Sequence, residues 1–166
     1  MEPIGEKEIR ASFVNCSKGE ARRLTLPVGF PDTPWADLDF LGWRDPKAPD
    51  RGYIVTERDG AYVGLALRAS TGVRKSLLKS SICSVCVTPQ AGSGITLLVA
   101  PRSGAAGREG NSVGIYICAD LACSLYVRGK KITALARRFE ESLTVEEQNA
   151  RTLGNLHGFV DKVLEG

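Results

Sequence analysis

Four of the five cysteines fall into two pairs, Cys83-Ser84-Val85-Cys86 and Cys118-Ala119-Asp120-Leu121-Ala122-Cys123, and 31 residues separate the pairs. Two residues between cysteines let both sulfurs face one ion while N–H groups of the turn point at them. That help matters because a divalent ion bound by four thiolates carries net negative charge. Four cysteine ligands leave no open coordination position, so the ion is expected to be a structural zinc held by Cys83, Cys86, Cys118 and Cys123. A chain tied in this way must bring residues 83 and 123 together, and few folds do that.

The surrounding pattern narrows the choice. Ile95, Leu97 and Val99 alternate with Thr96 and Leu98, which predicts a strand over Gly94–Ala100. Val113, Ile115 and Ile117 predict a second strand over Val113–Cys118. The glycine-rich connection 102–112 lies between them. A helix is expected after Cys118, ending at Val127 to Gly129. Its N-terminal N–H groups would favour the Cys123 thiolate. Knuckle, hairpin, then a helix carrying the second pair is the layout of a treble-clef zinc finger. Redox chemistry at Cys83-Ser84-Val85-Cys86 would need a strand before the motif and a helix after it. Here a basic stretch precedes it, and Thr88-Pro89 and a glycine-rich turn follow.

The other elements are read from periodicity and breakers. Ile9, Phe13 and Cys16 predict a short amphipathic helix over 6–16, with Cys16 a core thiol and not a ligand. The stretch 27–50 holds Pro27, Pro31, Pro34, Pro46 and Pro49 and reads as ordered loop pinned by Trp35, Phe40 and Trp43. Tyr53–Glu57 and Tyr62–Arg68 read as strands joined through Asp59-Gly60, a strong hairpin signal. The last helix is expected from Thr144, with a capping box between Thr144 and Gln148. Leu153, Leu156, Phe159, Val160, Val163 and Leu164 form its apolar stripe. The expected fold class is α+β: a small antiparallel sheet with a treble-clef zinc finger and flanking helices. All 166 residues are expected to form one domain, with an N-terminal helix-loop-strand segment (1–70), a zinc module (71–138) and a C-terminal helix (143–165).

Net charge is +3, unevenly spread. Residues 1–70 carry 10 Lys/Arg against 11 Asp/Glu. Residues 71–138 carry 10 against Glu109 and Asp120, a net of +8, and residues 139–166 carry 2 against 6. The positive segment is the one bearing the cysteines, and such a field attracts nucleic acid or an acidic protein. Arg74, Lys75 and Lys79 precede the first pair, and Tyr126, Arg128, Lys130 and Lys131 follow the second. These seven residues are the candidate partner-binding face. The glycines at 104, 107, 110 and 114 lack a Gly-Lys-Ser/Thr signature, so that stretch reads as a hairpin loop and not a nucleotide site. His157 is the only histidine and has no companion nucleophile, so no catalytic residue is expected and the chain reads as a non-enzyme. The N-terminal MEPIGEKEIR has no apolar stretch behind its charges, and no apolar run approaches a membrane span. A cytoplasmic location follows, with no membrane partner and no small-molecule substrate.

Several motifs carry a family resemblance. They are Cys83-Ser84-Val85-Cys86, Gly110-Asn111-Ser112-Val113-Gly114, Tyr116-Ile117-Cys118-Ala119-Asp120-Leu121-Ala122-Cys123 and the following Ser124-Leu125-Tyr126-Val127-Arg128-Gly129. With them the chain resembles the elongation factor G-binding protein family, whose C-terminal treble-clef zinc finger also occurs in FusB-type fusidic-acid-resistance proteins. The stretch Glu8–Glu20 and the segment Asp37–Asp45 look like short, single-module members. The resemblance implies binding to elongation factor G and an effect on its residence on the ribosome. The resistance proteins carry a helical N-terminal domain ahead of the zinc module. The first 70 residues here, one short helix followed by loop and strand, do not fit such a bundle. The alternative from another class is a zinc protein that binds ribosomal or other RNA directly. Single-stranded RNA readers display several stacking aromatics. Residues 71–138 offer only Tyr116 and Tyr126, which favours a protein partner.

Overall fold

A Val/Ile/Leu-rich centre with turn residues at both ends builds the longest hairpin of the molecule. Strand β2 (Arg51–Arg58) and strand β3 (Ala61–Ala69) pair antiparallel around Asp59-Gly60, both of which have positive φ. The computed structural model describes residues 1–70, 80–133, 135 and 141–165. Among these, β1 (Leu41–Arg44), β2, β3, β6 (Ile95–Pro101) and β7 (Ser112–Cys118) form one antiparallel sheet in the order β1-β2-β3-β6-β7. A separate two-stranded ribbon joins β4 (Ser80–Ile82) to β5 (Pro89–Ala91). The fold is α+β, as the sequence suggests.

Five consecutive residues of β2 are buried, because both faces of the sheet are covered. On one face Ile54, Leu65, Leu67, Leu98, Ile115 and Ile117 join the four paired cysteines and the apolar stripe of helix α5 (Val145–Leu164). On the other, Leu41, Trp43, Tyr53 and Val55 pack with Ile4, Ile9, Leu24 and Leu38 from the N-terminal layer. In α5 the stripe is Leu156, Phe159, Val160 and Val163, with Thr152 also buried. Leu164 is exposed, at 39%. The α5 capping box closes on Glu147 and not Gln148. Thr144 Oγ1 accepts from the Glu147 N–H at 3.2 Å, and the Glu147 carboxylate accepts from the Thr144 N–H at 2.8 Å. Glu147 is the third helical residue, the position whose free N–H a cap can reach.

The N-terminal layer is more structured than its sequence suggests. Helix α1 spans Glu6–Ser12 and stops there, because Phe13 turns extended and bridges Gly64 of β3. Cys16 therefore lies beyond the helix, half-buried and away from the other four cysteines. A second helix, α2 (Lys18–Arg23), follows, started by a capping box between Ser17 and Glu20. The proline-rich stretch contains two single 3-10 turns, Phe30–Asp32 and Trp35–Asp37, and then β1. Trp43 and Phe40 are buried anchors, and the Trp43 indole donates to Thr25 O at 2.9 Å. The glycine-rich connection between β6 and β7 contains a short helix, α3 (Gly104–Arg108). Gly107 is required there, since a Cβ would sit 1.8 Å from Arg102 O.

Candidate metal centre

The Cys83–Cys86 turn lies between β4 and β5. The Val85 and Cys86 N–H groups donate to Cys83 Sγ at 3.3 and 3.4 Å. The Val87 N–H closes the turn on Cys83 O at 3.0 Å. Val87 pays for this with φ of +61°, a conformation costly for a β-branched residue. Strand β7 delivers Cys118 at its last position, and helix α4 (Cys123–Val127) opens on Cys123. The intervening loop turns through Leu121, also at positive φ, and the Asp120 carboxylate accepts from the Ala122 N–H at 3.1 Å.

The four sulfurs are buried and lie within 4.8 Å of one another. The Cys83–Cys123 and Cys86–Cys118 separations are 3.8 and 3.6 Å. A tetrahedral zinc–thiolate centre with bonds of about 2.3 Å has sulfur–sulfur edges of about 3.8 Å, so these residues fit one zinc ion. Thiols packed this closely perturb one another's ionisation. Hydrogen bonds donated by Cys118, Cys123 and Cys86 push the Cys83 thiol far down. Hydrogen bonds to Cys118, Cys83 and Cys86, together with burial, hold Cys123 far up. Such a cluster cannot ionise fully on its own, and a divalent cation relieves the conflict.

Three polar residues brace the centre, and none stands out in the sequence. Buried Gln90 directs its amide to Cys118 Sγ at 3.7 Å. Asn155 of α5 donates to Val85 O at 2.9 Å, which fastens the last helix to the knuckle. Buried Ser124 accepts from the Asp39 N–H at 3.0 Å. The braced loop also leans on the sheet. A Cβ at Gly42 of β1 would lie 2.7 Å from Leu121 O and 2.9 Å from its Cβ, so only glycine fits.

The cations that follow the second pair have found acidic partners. Arg128 makes a two-pronged ion pair with Asp39, at 2.5 and 2.8 Å, and also reaches Asn149 at 3.1 Å. Arg128 therefore ties helix α4 to the N-terminal layer. Lys130 lies 3.7 Å from Asp37. Lys131 pairs with Asp120 and sits over the Tyr126 ring, 5.6 Å from its centroid. Tyr126 donates its own hydroxyl to Asp120 at 2.9 Å. Lys130 and Lys131 stay exposed, at 59% and 47% of their side chains. Arg74, Lys75 and Lys79 lie outside the described residues. His157 is half-buried, with Nε2 3.3 Å from Thr56 Oγ1.

A cysteine-closed centre between a ribbon, a hairpin and a helix matches a known profile. The family described as FBP C-terminal treble-clef zinc-finger matches residues 8–163. This chain belongs to that family. Its four clustered cysteines are the ones positioned to bind the single metal ion. Among solved structures, the fusidic acid resistance protein FusC is similar, with a TM-score of 0.61 and 18% sequence identity. The match covers 98% of this chain and 59% of the FusC chain, so the chain spans somewhat more than half of that structure. At that identity the likeness speaks for the fold. No curated protein matches the sequence. No helix among the described residues is long and apolar enough to cross a membrane.

Proposed function

We propose that this FBP-family chain is a non-enzymatic zinc protein that docks on elongation factor G and alters its residence on the ribosome. The family match over residues 8–163 carries this reading. In it, Cys83, Cys86, Cys118 and Cys123 hold one structural zinc, whose task is to present the surface around the knuckle. That surface has suitable chemistry. Ile82, Tyr116 and Ile132 are exposed at 55%, 50% and 73%. They lie on segments tied to one another: Ser84 donates to Tyr116 O, Ile82 pairs with Pro89, and Thr133 donates to Pro89 O. Lys130 and Lys131 lie beside Ile132 in the chain. An apolar centre with a polar, solvent-accessible rim is the usual anatomy of a protein interface. The cytoplasm, where elongation factor G works, is the compartment this reading requires.

Titration calorimetry between the zinc-loaded chain and purified elongation factor G tests the proposal. Association at low salt is expected. Lys130→Glu with Lys131→Glu should weaken it at least tenfold with zinc content unchanged, and Ile132→Ala should weaken it by a similar factor. No heat of association with elongation factor G at 50 mM salt would refute the reading.

A further inference from the structure

Away from the zinc, the ends of β2, β3 and β6 and the short helices α2 and α3 enclose a cleft of about 840 Å³. Five arginines line it: Arg23, Arg51, Arg68, Arg102 and Arg108. The acidic groups lining it are Glu20 and Asp45. Asp45 accepts from the Tyr53 hydroxyl at 3.0 Å, and Glu20 accepts from the Ser17 N–H and hydroxyl at 2.9 and 2.8 Å. Glu20 also feels Arg68 and Arg23. Arg102 is held by Lys162 O and Glu165 O at 2.7 and 3.2 Å. Among the described residues, no carboxylate lies within ion-pair distance of Arg23, Arg51, Arg68 or Arg108. Asn15 ties the cleft walls together. Its side chain bonds both the N–H and the carbonyl of Ala66 in β3, and it reaches Pro101 O of β6 at 3.1 Å.

A second observation bears on what the cleft holds. Arg51 and Arg68 face each other directly across the β2–β3 pairing, and both are exposed. Like charges directly opposite in an antiparallel pair destabilise the sheet, where Thr or a β-branched residue would help it. An anion bridging the two guanidinium groups would reverse that repulsion. Arginine suits phosphate because its planar fork donates two parallel hydrogen bonds. A protein partner would need an apolar anchor. The large apolar residues deep in the cleft, Leu24, Leu67 and Tyr53, are themselves buried in the core. Tyr53, with its hydroxyl held by Asp45, is no stacking platform for a base.

We infer that this cleft binds the phosphate backbone of a nucleic acid, independently of sequence, at the end of β6 remote from the zinc. Ile95 of β6 pairs with the ligand Cys118, whereas Pro101 lines the cleft. Six residue steps of strand put about 20 Å between the two sites. The chain thus carries a phosphate-binding surface in addition to the zinc-side surface proposed for elongation factor G.

The test is fluorescence anisotropy of the zinc-loaded full chain with a labelled 20-nucleotide single-stranded RNA and with a DNA of matching sequence, from 50 to 200 mM KCl. Both probes should bind with affinity falling steeply with salt. The double variant Arg51→Thr, Arg68→Thr should bind more than tenfold more weakly, and its salt slope should shrink by about 1.4, near 0.7 per lost phosphate contact. Its melting temperature should be unchanged or higher, because the repelling pair becomes a cross-strand threonine pair. Lys130→Glu with Lys131→Glu should leave RNA binding within twofold, so failure at the cleft and failure at elongation factor G are separable. The inference is overturned if the threonine variant binds RNA like the wild type. It is also overturned if that variant melts markedly lower, which would make the arginines structural, or if polyglutamate displaces the RNA at equal charge concentration.

Discussion

The two cationic regions of the molecule have opposite histories. The lysines and arginine that follow Cys123 belong to the segment with the strongest positive charge, yet Asp39, Asp37 and Asp120 have claimed all three. The cleft arginines at 23, 51 and 68 belong to the segment of 1–70, whose net charge is −1, yet no carboxylate pairs with them among the described residues. Folding has brought Asp37 and Asp39 of the N-terminal segment onto the zinc side. The cleft at the other end of β6 keeps arginines without such a partner among the described residues. The sum of charges along a segment therefore says little about where the field emerges, because partners such as Arg128 and Asp39 come from 89 residues apart.

The sharpest way to test this division is to remove the metal. Zinc binding supplies folding free energy directly, about 10–16 kcal/mol in small finger peptides at neutral pH. Chelation, or serine at Cys83, Cys86, Cys118 or Cys123, should abolish amide-exchange protection in β4, β5, β7 and α4. Cys16→Ser should leave metal content and protection unchanged. If protection in the β2–β3 hairpin falls in step with the ribbon, the two ends are one cooperative unit and the division is wrong at the level of stability.

Next in size is Arg128→Ala, which leaves the largely buried Asp39 carboxylate without its partner and should cost about 3 kcal/mol. Arg108→Ala, in the cleft, should change stability by less than about 0.5 kcal/mol. Chemical denaturation reads both, and equal losses would erase the distinction between a claimed and an unclaimed arginine. Gly42→Ala forces a side chain against Leu121 and should cost about 1–3 kcal/mol.

The smallest effect lies in the floor of the cleft. Burial, and then the hydrogen bond to Asp45, push the Tyr53 hydroxyl up from 10.0 to about 12. Between those values the folded chain keeps a proton that the unfolded chain releases, so stability falls as pH rises through that window. Tyr53→Phe should flatten this dependence between pH 10 and 12 in denaturant titrations. An unchanged slope would mean that another group sets it.

How much was legible follows from the range of each signal. The cysteine spacing, the Asp59-Gly60 hairpin, the alternation in β6 and β7 and the stripe of α5 are local patterns, and all appear in the fold. The Ser17–Glu20 capping box was equally local and marks α2, which a reading by apolar periodicity passes over because only Ala21 of that helix is buried. Strand β1 was hidden among prolines, since four residues are too few for alternation to show and its pairing with β2 defines it. The zinc ligands were legible, but their supports were not. Gln90 and Asn155 become visible only once the ribbon and α5 are packed together. The cleft was illegible for the same reason, since its arginines are scattered from 23 to 108.

The seat of Leu121 against Gly42 also sets an order in time. The loop between Cys118 and Cys123 has no resting place until β1 is paired, and β1 leaves the ribosome some eighty residues earlier. Chains emerge N-terminus first at about 5–20 residues per second, so β1 has seconds to dock before the last two thiols exist. Capture of the ion is then a late event that follows the pairing of β1, β2 and β3. The rate at which a chelator strips the metal becomes a clock for undocking of β1. A bulkier residue at position 42 should make that clock run fast as well as lowering equilibrium stability.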